Sequence, residues 1–453
     1  MKKRLALALI AAAPLAAQAT DGYFANGYGL KSIGMGGAAA AVALEPFGGA
    51  VNPGAMTFLG NNWQLGLAWF SPNREASRTG SGNWGIDANV ESGSTNFFIP
   101  EVGANFMIRP DLAVGITIVG NGGMNTDYPG GQIPLQSACA NFRGGQGAPY
   151  NLLCGSGSLG VDMMQLLIAP YVSWQPVKNH SIGIAPVIAY QRFKAEGLQA
   201  FDNPMLSTSP GSVTNNGYAS SWGVGVRVGY MGQLTEQFSV GVAYASKIGM
   251  GNFDEYKGLF AEQGGFDIPS NFTIGVGFAP TKDWLIALDY ERIFYSDAAS
   301  VSNPSAWIAP GQCVPTPTGA GGARQYCLGG DSGAGFGWQD INVWKIGVQY
   351  HIYQLFNEQW TVRAGFNRSD NPIRSQDVTF NILAPGVVQN QWSLGTSYKF
   401  NKKNSEITGA FMYATHNSVT GQSLFVGFGA PATMTETIGM KEYLLGIAYS
   451  HWW

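Results

Sequence analysis

Period-two alternation of side-chain character is the feature that most narrows what this chain can fold into. At the C-terminus Tyr443, Leu445, Ile447, Tyr449, His451 and Trp453 share one parity, against Glu442, Gly446, Ala448 and Ser450 on the other. Around residue 225, Trp222, Val224, Val226, Val228 and Tyr230 alternate with Ser221, Gly223, Gly225, Arg227 and Gly229. Near residue 363, Trp360, Val362, Ala364 and Phe366 alternate with Thr361, Arg363, Gly365 and Asn367. A period of two is a strand signal. Apolar faces that end in aromatics, with small or polar groups opposite, describe strands that face lipid. A soluble β-sandwich also alternates, but its polar faces would carry more Lys and Glu, and here only 12% of residues are charged. Aromatic residues at 13% and a net charge of -3 exclude a disordered chain. Twenty-five basic against 28 acidic residues give no electrostatic footprint for nucleic acid.

Residues 1–19 read as an export signal. Lys2, Lys3 and Arg4 precede an apolar run from Leu5 to Leu15, and Ala17-Gln18-Ala19 forms a small-residue cleavage site. The run is short of the roughly 20 apolar residues that a membrane-spanning helix needs. Export plus alternation points to the bacterial outer membrane.

Counting alternating runs gives fourteen strands, beginning near Trp63, Phe97, Leu112, Met164, Ser181, Ser220, Phe238, Phe272, Trp284, Ile341, Trp360, Gln389, Ser405 and Met440. Short turns are expected at 109–111, 175–179, 232–236, 280–283, 352–359 and 401–404. Long loops are expected at 73–95, 120–161, 194–217, 248–266, 296–340, 369–387 and 415–437. Short turns on the periplasmic side and long loops outside are the rule for such barrels. The expected fold is therefore all-β, a fourteen-stranded antiparallel transmembrane barrel over residues 62–453. Residues 20–61 are rich in Gly and Ala and nearly free of charge, which suits a compact plug in the lumen better than a polar linker.

Several motifs resemble the FadL/TodX family of outer-membrane channels for hydrophobic compounds. They are Gly27-Tyr28-Gly29, Gly34-Met35-Gly36-Gly37-Ala38, Asn52-Pro53-Gly54-Ala55, Gly120-Asn121-Gly122-Gly123-Met124-Asn125-Thr126, Gly265-Phe266-Asp267-Ile268-Pro269 and Trp344-Lys345-Ile346-Gly347. The resemblance covers the whole chain after residue 19. It implies a fourteen-stranded barrel with an N-terminal hatch, carried here by Asn52, Pro53, Gly54 and Ala55. It also implies an inward kink in the third strand that opens a lateral portal, carried by Gly120, Gly122 and Gly123. The family's hatch motif is usually Asn-Pro-Ala, so the intervening Gly54 is a departure that bears on the contact between hatch and kink. Independently of any family, glycine inside a strand marks a bulge or bend, or simply the place where the strand gives way to its loop.

Two loops offer apolar side chains for ligand capture. Phe253, Tyr256, Leu259 and Phe260 fall at helical spacing, and Leu198, Phe201 and Met205 lie in the preceding long loop. Exposed stripes of this kind bind something or pack together as a lid. A carboxylate ligand would want a cation. Parity places Lys345 and Arg363 inward, and the resemblance places Arg374 next to the lumen, although inward acids such as Asp289 and Glu291 can pair with such cations. Four cysteines lie in two loops, and in an exported chain they read as disulfides. Three connectivities are possible, with Cys139–Cys154 and Cys313–Cys327 the within-loop arrangement. His180, His351, His416 and His451 are scattered, so no metal site is expected, and no cofactor or enzymatic motif is found. The expected function is passive uptake of small hydrophobic molecules by a monomer, with long-chain fatty acids first. Aromatic or alkane hydrocarbons and export of oxidised lipids are the alternatives, and an adhesin or phage receptor is the reading from another class. The remaining partners are outer-membrane lipid and lipopolysaccharide.

Overall fold

The computed structural model describes residues 21–143, 149–316, 318–319, 321–352, 359–400 and 404–453. The export signal expected over 1–19 lies outside the described residues, as do most of the turns at 352–359 and 401–404. Fourteen strands form the wall: β1 (Asn62–Thr79), β2 (Phe97–Arg109), β3 (Leu112–Asn125), β4 (Gly160–Val177), β5 (His180–Glu196), β6 (Ala219–Gln233) and β7 (Phe238–Ala245), then β8 (Asn271–Phe278), β9 (Trp284–Ile293), β10 (Ile341–Ile352), β11 (Gln359–Ser369), β12 (Asn390–Phe400), β13 (Ser405–Gln422) and β14 (Thr435–Trp452). Each pairs antiparallel with its neighbour in sequence, and β14 pairs with β1 from Trp452–Asn62 to Thr435–Thr79, closing the ring. Two short strands, Ala88–Glu91 and Gly249–Met250, add to β1 and β6.

The alternation sorts as a lipid-facing wall requires. On β6, Trp222 and Val224 are 58% and 70% exposed while Ser221 and Arg227 are buried. In water, an apolar belt running round the whole molecule would far exceed the patch a soluble monomer leaves open. Cross-strand aromatic pairs ring both ends of the wall. Trp63–Tyr449, Trp284–Tyr350 and Trp360–Tyr398 lie at the short-turn end, with centroids 5.5, 4.6 and 5.1 Å apart. Tyr190–Trp222, Tyr290–Trp344 and Phe366–Trp392 lie at the loop end. Amphipathic rings favour the headgroup level, so the two girdles mark the membrane faces. Asn179, with φ 66, makes the tight turn from β4 to β5.

Two loops expected from the sequence are partly wall. Residues 73–79 continue β1, and β13 and β14 reach Gln422 and Thr435. These extensions carry Ser, Thr, Arg and Glu on both faces because they stand above the lipid, so an apolar period misses them. Arg78 and Glu436, both fully buried and 2.5 Å apart, tie them together.

Residues 21–59 lie inside the ring and are almost wholly buried. They contain a helix, α1 (Leu30–Gly34), and two 3-10 turns, Pro46–Ala50 and Pro53–Phe58. Wall glycines let this segment approach. A Cβ at Gly241 would sit 1.9 Å from the Ala40 carbonyl oxygen, and one at Gly365 would sit 2.0 Å from the Gly36 nitrogen. Buried polar groups then fix it. Asp289 accepts hydrogen bonds from the Ala39 and Ala40 amides, both at 2.8 Å. Lys31 pairs with Glu406 at 2.7 Å, and the Arg227 guanidinium donates to the Val51 carbonyl.

Candidate functional site

β2 and β3 part company half-way up the wall. Their pairing runs from Arg109–Leu112 to Val102–Ile118, and no further pair is formed among the described residues, although β2 continues back to Phe97 along β1. At the same height the β3–β4 register slips, with Gly120 opposite Leu166 and Gly122 opposite Gln165, which leaves Asn121 as an extra residue. A one-residue bulge bends its strand. The bend is held from inside: the Tyr28 hydroxyl donates to Asn121 Oδ1 at 2.7 Å, and Asn121 Nδ2 donates to Gln165 Oε1 at 3.0 Å. The Ala25 amide donates to the Asn121 carbonyl, and the Gly123 amide to the Tyr23 carbonyl. The hydrogen-bond ladder of the wall therefore has a gap between residues 97–101 of β2 and 119–125 of β3. Pro100 stands in the unpaired part of β2, where a residue without an N–H is tolerated because the strand is an edge.

The motif at residues 52–55 does not touch this bend, contrary to what the resemblance led us to expect. Asn52 Nδ2 donates to the Ala40 and Tyr230 carbonyls at 2.6 and 2.9 Å, and its Oδ1 accepts from the Gly54 amide. Cβ atoms at Gly54, Gly183 and Gly229 would each collide across the contact with β5 and β6. Gly54 is required by that proximity to the wall, and Ala55 is buried beside it. The bend is met instead by residues 23–28, of which Tyr28 belongs to the Gly27-Tyr28-Gly29 motif while Tyr23 and Phe24 carry no motif signal.

Above the gap, the loops enclose an apolar pocket. Leu198, Phe201, Leu259 and Phe260 line it together with Phe193 and Phe380. Ser300 is the sole polar side chain among its described lining residues, and its hydroxyl is occupied by the Gly265 carbonyl. The cavity measures ≈ 40 Å³, well below the roughly 150 Å³ that accommodates a benzene ring. Entry of a ligand therefore requires side chains to move. Of the two arrangements open to these stripes, the loops adopt the packed one: Phe253, Tyr256, Phe260, Leu198 and Phe201 are buried, Leu259 is partly so, and Met205 alone of the seven is exposed, at 61%. The helical spacing is also interrupted. Asp254–Tyr256 is a 3-10 turn, and Glu262 and Gln263 at φ 57 and 55 break the short helix Ala261–Gly264. Phe193, near the loop end of β5, organises the cluster, with centroids 5.6, 4.9 and 4.6 Å from Phe253, Tyr256 and Phe260. Disulfides Cys139–Cys154 and Cys313–Cys327 close loops whose next or preceding residues, Leu153 and Leu328, line the pocket.

Rings continue downward from this pocket. Phe260 packs on Phe266 at 4.9 Å, Phe266 on Tyr23 at 6.1 Å, and Tyr23 on Trp338 at 5.8 Å. Tyr23 and Trp338 border a second cavity beside Gly123 at the gap.

None of the three expected cations lines the apolar pocket. Lys345 pairs with Glu291 at 2.7 Å and Asp21 at 3.7 Å. Arg363 donates to Gln349 Oε1 and Ser397 Oγ, both at 2.7 Å. Arg374 pairs with Asp377 at 2.9 Å. Burial pushes the Asp21 carboxyl up to about 6, with Lys345 pulling against it.

The family described as "Outer membrane protein transport protein (OMPP1/FadL/TodX)" matches residues 149–450. The chain belongs to this family. It is accordingly an outer-membrane transport protein. Among solved structures, the toluene transporter TodX of Pseudomonas putida is similar at 17% identity and a TM-score of 0.64, covering 94% of this chain and 99% of that one. A Pseudomonas aeruginosa FadL homologue has 14% identity and a TM-score of 0.63, covering 95% and 99%. The Ralstonia pickettii toluene transporter TbuX has 18% identity and a TM-score of 0.57, covering 94% and 99%. At these identities the structures establish the shared barrel fold. No curated protein sequence matches the chain.

Proposed function

We propose that this FadL/TodX-family member mediates passive uptake of small, uncharged hydrophobic molecules across the outer membrane. The gap between β2 and β3 carries the reading. A hydrophobic molecule gains nothing from a water-filled exit, and an opening in the wall at membrane height delivers it to lipid. Each Å² of apolar ligand surface kept out of water along the way is worth about 25 cal/mol. The ligand is captured among the loops at Leu198, Phe201, Leu259 and Phe260, passes the rings down to Tyr23, and leaves beside Gly120, Gly122 and Gly123. Residues 20–61 act as the hatch that blocks the axial route.

Monoaromatic hydrocarbons fit this path better than long-chain fatty acids. The loop pocket is apolar, and Lys345, Arg363 and Arg374 are all engaged within the protein. Two relatives of the same fold are toluene transporters. The test is uptake of labelled toluene and labelled palmitate by cells lacking their own channel of this family. Toluene uptake that depends on this protein supports the proposal. Palmitate uptake alone would restore the carboxylate reading.

A further inference from the structure

The cavity beside Gly123 differs in chemistry from the loop pocket. Tyr23, Phe70, Met124, Trp338 and Met440 line it, together with two charged side chains, Arg74 of β1 and Glu442 of β14. Arg74 reaches across the top of the gap, where its guanidinium donates to the carbonyls of Asn125, at the end of β3, and Ser94. That leaves Arg74 Nε, which is buried without a hydrogen-bond partner. Glu442 is 0% exposed, and neither of its carboxylate oxygens has a partner. A buried donor and a buried acceptor, both without partners, thus border one small space, which the Tyr23 side chain, its hydroxyl likewise without a partner, also lines.

We infer that Arg74 and Glu442 form a clamp for the hydroxyl of an alcohol or phenol at the inner mouth of the gap. The inference rests on the uptake reading above and names a substrate class for it. An N–H of arginine only donates, and the buried Glu442 carboxyl oxygens have no donor. A hydroxyl accepts from the one and donates to the other, so one such group satisfies both partners at once. A plain hydrocarbon leaves both bare. The cavity of ≈ 20 Å³ holds about one oxygen-sized group, with the ligand's apolar body left against Phe70, Met124 and the gap. A single buried water is the competing occupant.

Equilibrium dialysis of the purified full-length protein against labelled p-cresol and toluene decides between them. Glu442→Leu should weaken p-cresol binding about tenfold, the effect of leaving one hydroxyl unpaired, with toluene changed by less than about twofold on the same reasoning. A parallel loss of both ligands, or loss of neither, overturns the clamp; the latter is the result expected if water alone fills the site. Glu442→Gln keeps the side-chain volume and covers the case in which the leucine variant fails to assemble. Glutamine keeps an acceptor oxygen for the hydroxyl, so this variant should hold p-cresol over toluene about tenfold, as the parent does, and equal binding of the two ligands by the parent overturns the inference. A parent protein that binds neither ligand refutes the uptake reading itself, whereas toluene binding without the p-cresol effect refutes the clamp alone.

Discussion

Deleting Asn121 should seal the wall without harming the barrel. Asn121 is the extra residue between Gly120–Leu166 and Gly122–Gln165, so its removal makes the β3–β4 ladder continuous. Side-chain parity against β4 is kept, because Gly120 and Gly122 retain their partners. The straightened strand can then extend its pairing with β2 past Val102–Ile118. About four new ladder bonds form, allowing for Pro100, which lacks an N–H, and each contributes about 1 kcal/mol net. Against these stand the losses of the Tyr28–Asn121, Asn121–Gln165 and Ala25–Asn121 bonds, about 3 kcal/mol on the same scale. The variant should therefore match the parent in stability to within about 1–2 kcal/mol and keep heat-modifiable gel mobility. Toluene uptake by cells carrying it should fall to the level of cells with no channel. A folded variant that transports like the parent would refute the reasoning, because the ligand would be leaving elsewhere.

Asn52→Ala leaves the Ala40 and Tyr230 carbonyls and the Gly54 amide without their side-chain partner; it should loosen the luminal segment by about 1–3 kcal/mol, seen as faster proteolysis of residues 21–60 from an intact barrel, and failure of the barrel to assemble would instead make the segment a folding element. Asp21 has its folded pKa raised to about 6 from 3.8. Its contribution to holding the segment is therefore full below pH 3.8 and lost as pH rises through 6. Asp21→Asn should flatten the pH dependence of that proteolysis over this window, and an unchanged profile would contradict the assignment. Phe260→Ala empties part of the loop cluster at a cost of about 3–5 kcal/mol. It should leave gel mobility unchanged and raise naphthalene uptake relative to toluene, whereas an unchanged ratio would mean the pocket does not select.

Strand number and position were legible because lipid enforces a strict period on one face, as the Trp222 to Tyr230 run shows. The same rule failed at Ser77 and Thr437, where the wall stands in water and both faces are polar. The glycines of β3 pointed to the bend, but the residue that makes it, Asn121, is ordinary in sequence and acquires its role from Tyr28 and Gln165. The loop aromatics were recognisable as a group, yet their burial depends on Phe193, Phe336 and Phe380, which arrive from separate parts of the chain. Lys345 and Arg363 were placed inward correctly by parity. Parity also offered Glu291 as a partner, which Lys345 takes, but gave no sign that Gln349 and Ser397 engage Arg363. Arg74 and Glu442 lie 368 positions apart and meet only because β14 closes on β1.

The most direct test of the proposed path is the position of a ligand in the protein. A crystal structure with 4-bromotoluene would locate it from the anomalous signal of bromine. The account predicts one peak among Leu198, Phe201, Leu259 and Phe260, and a second beside Gly123 facing the gap between β2 and β3. Bromine strung past Asn52 and Gly54 toward the short-turn end, with none at the gap, would contradict lateral exit and make the luminal segment the gate.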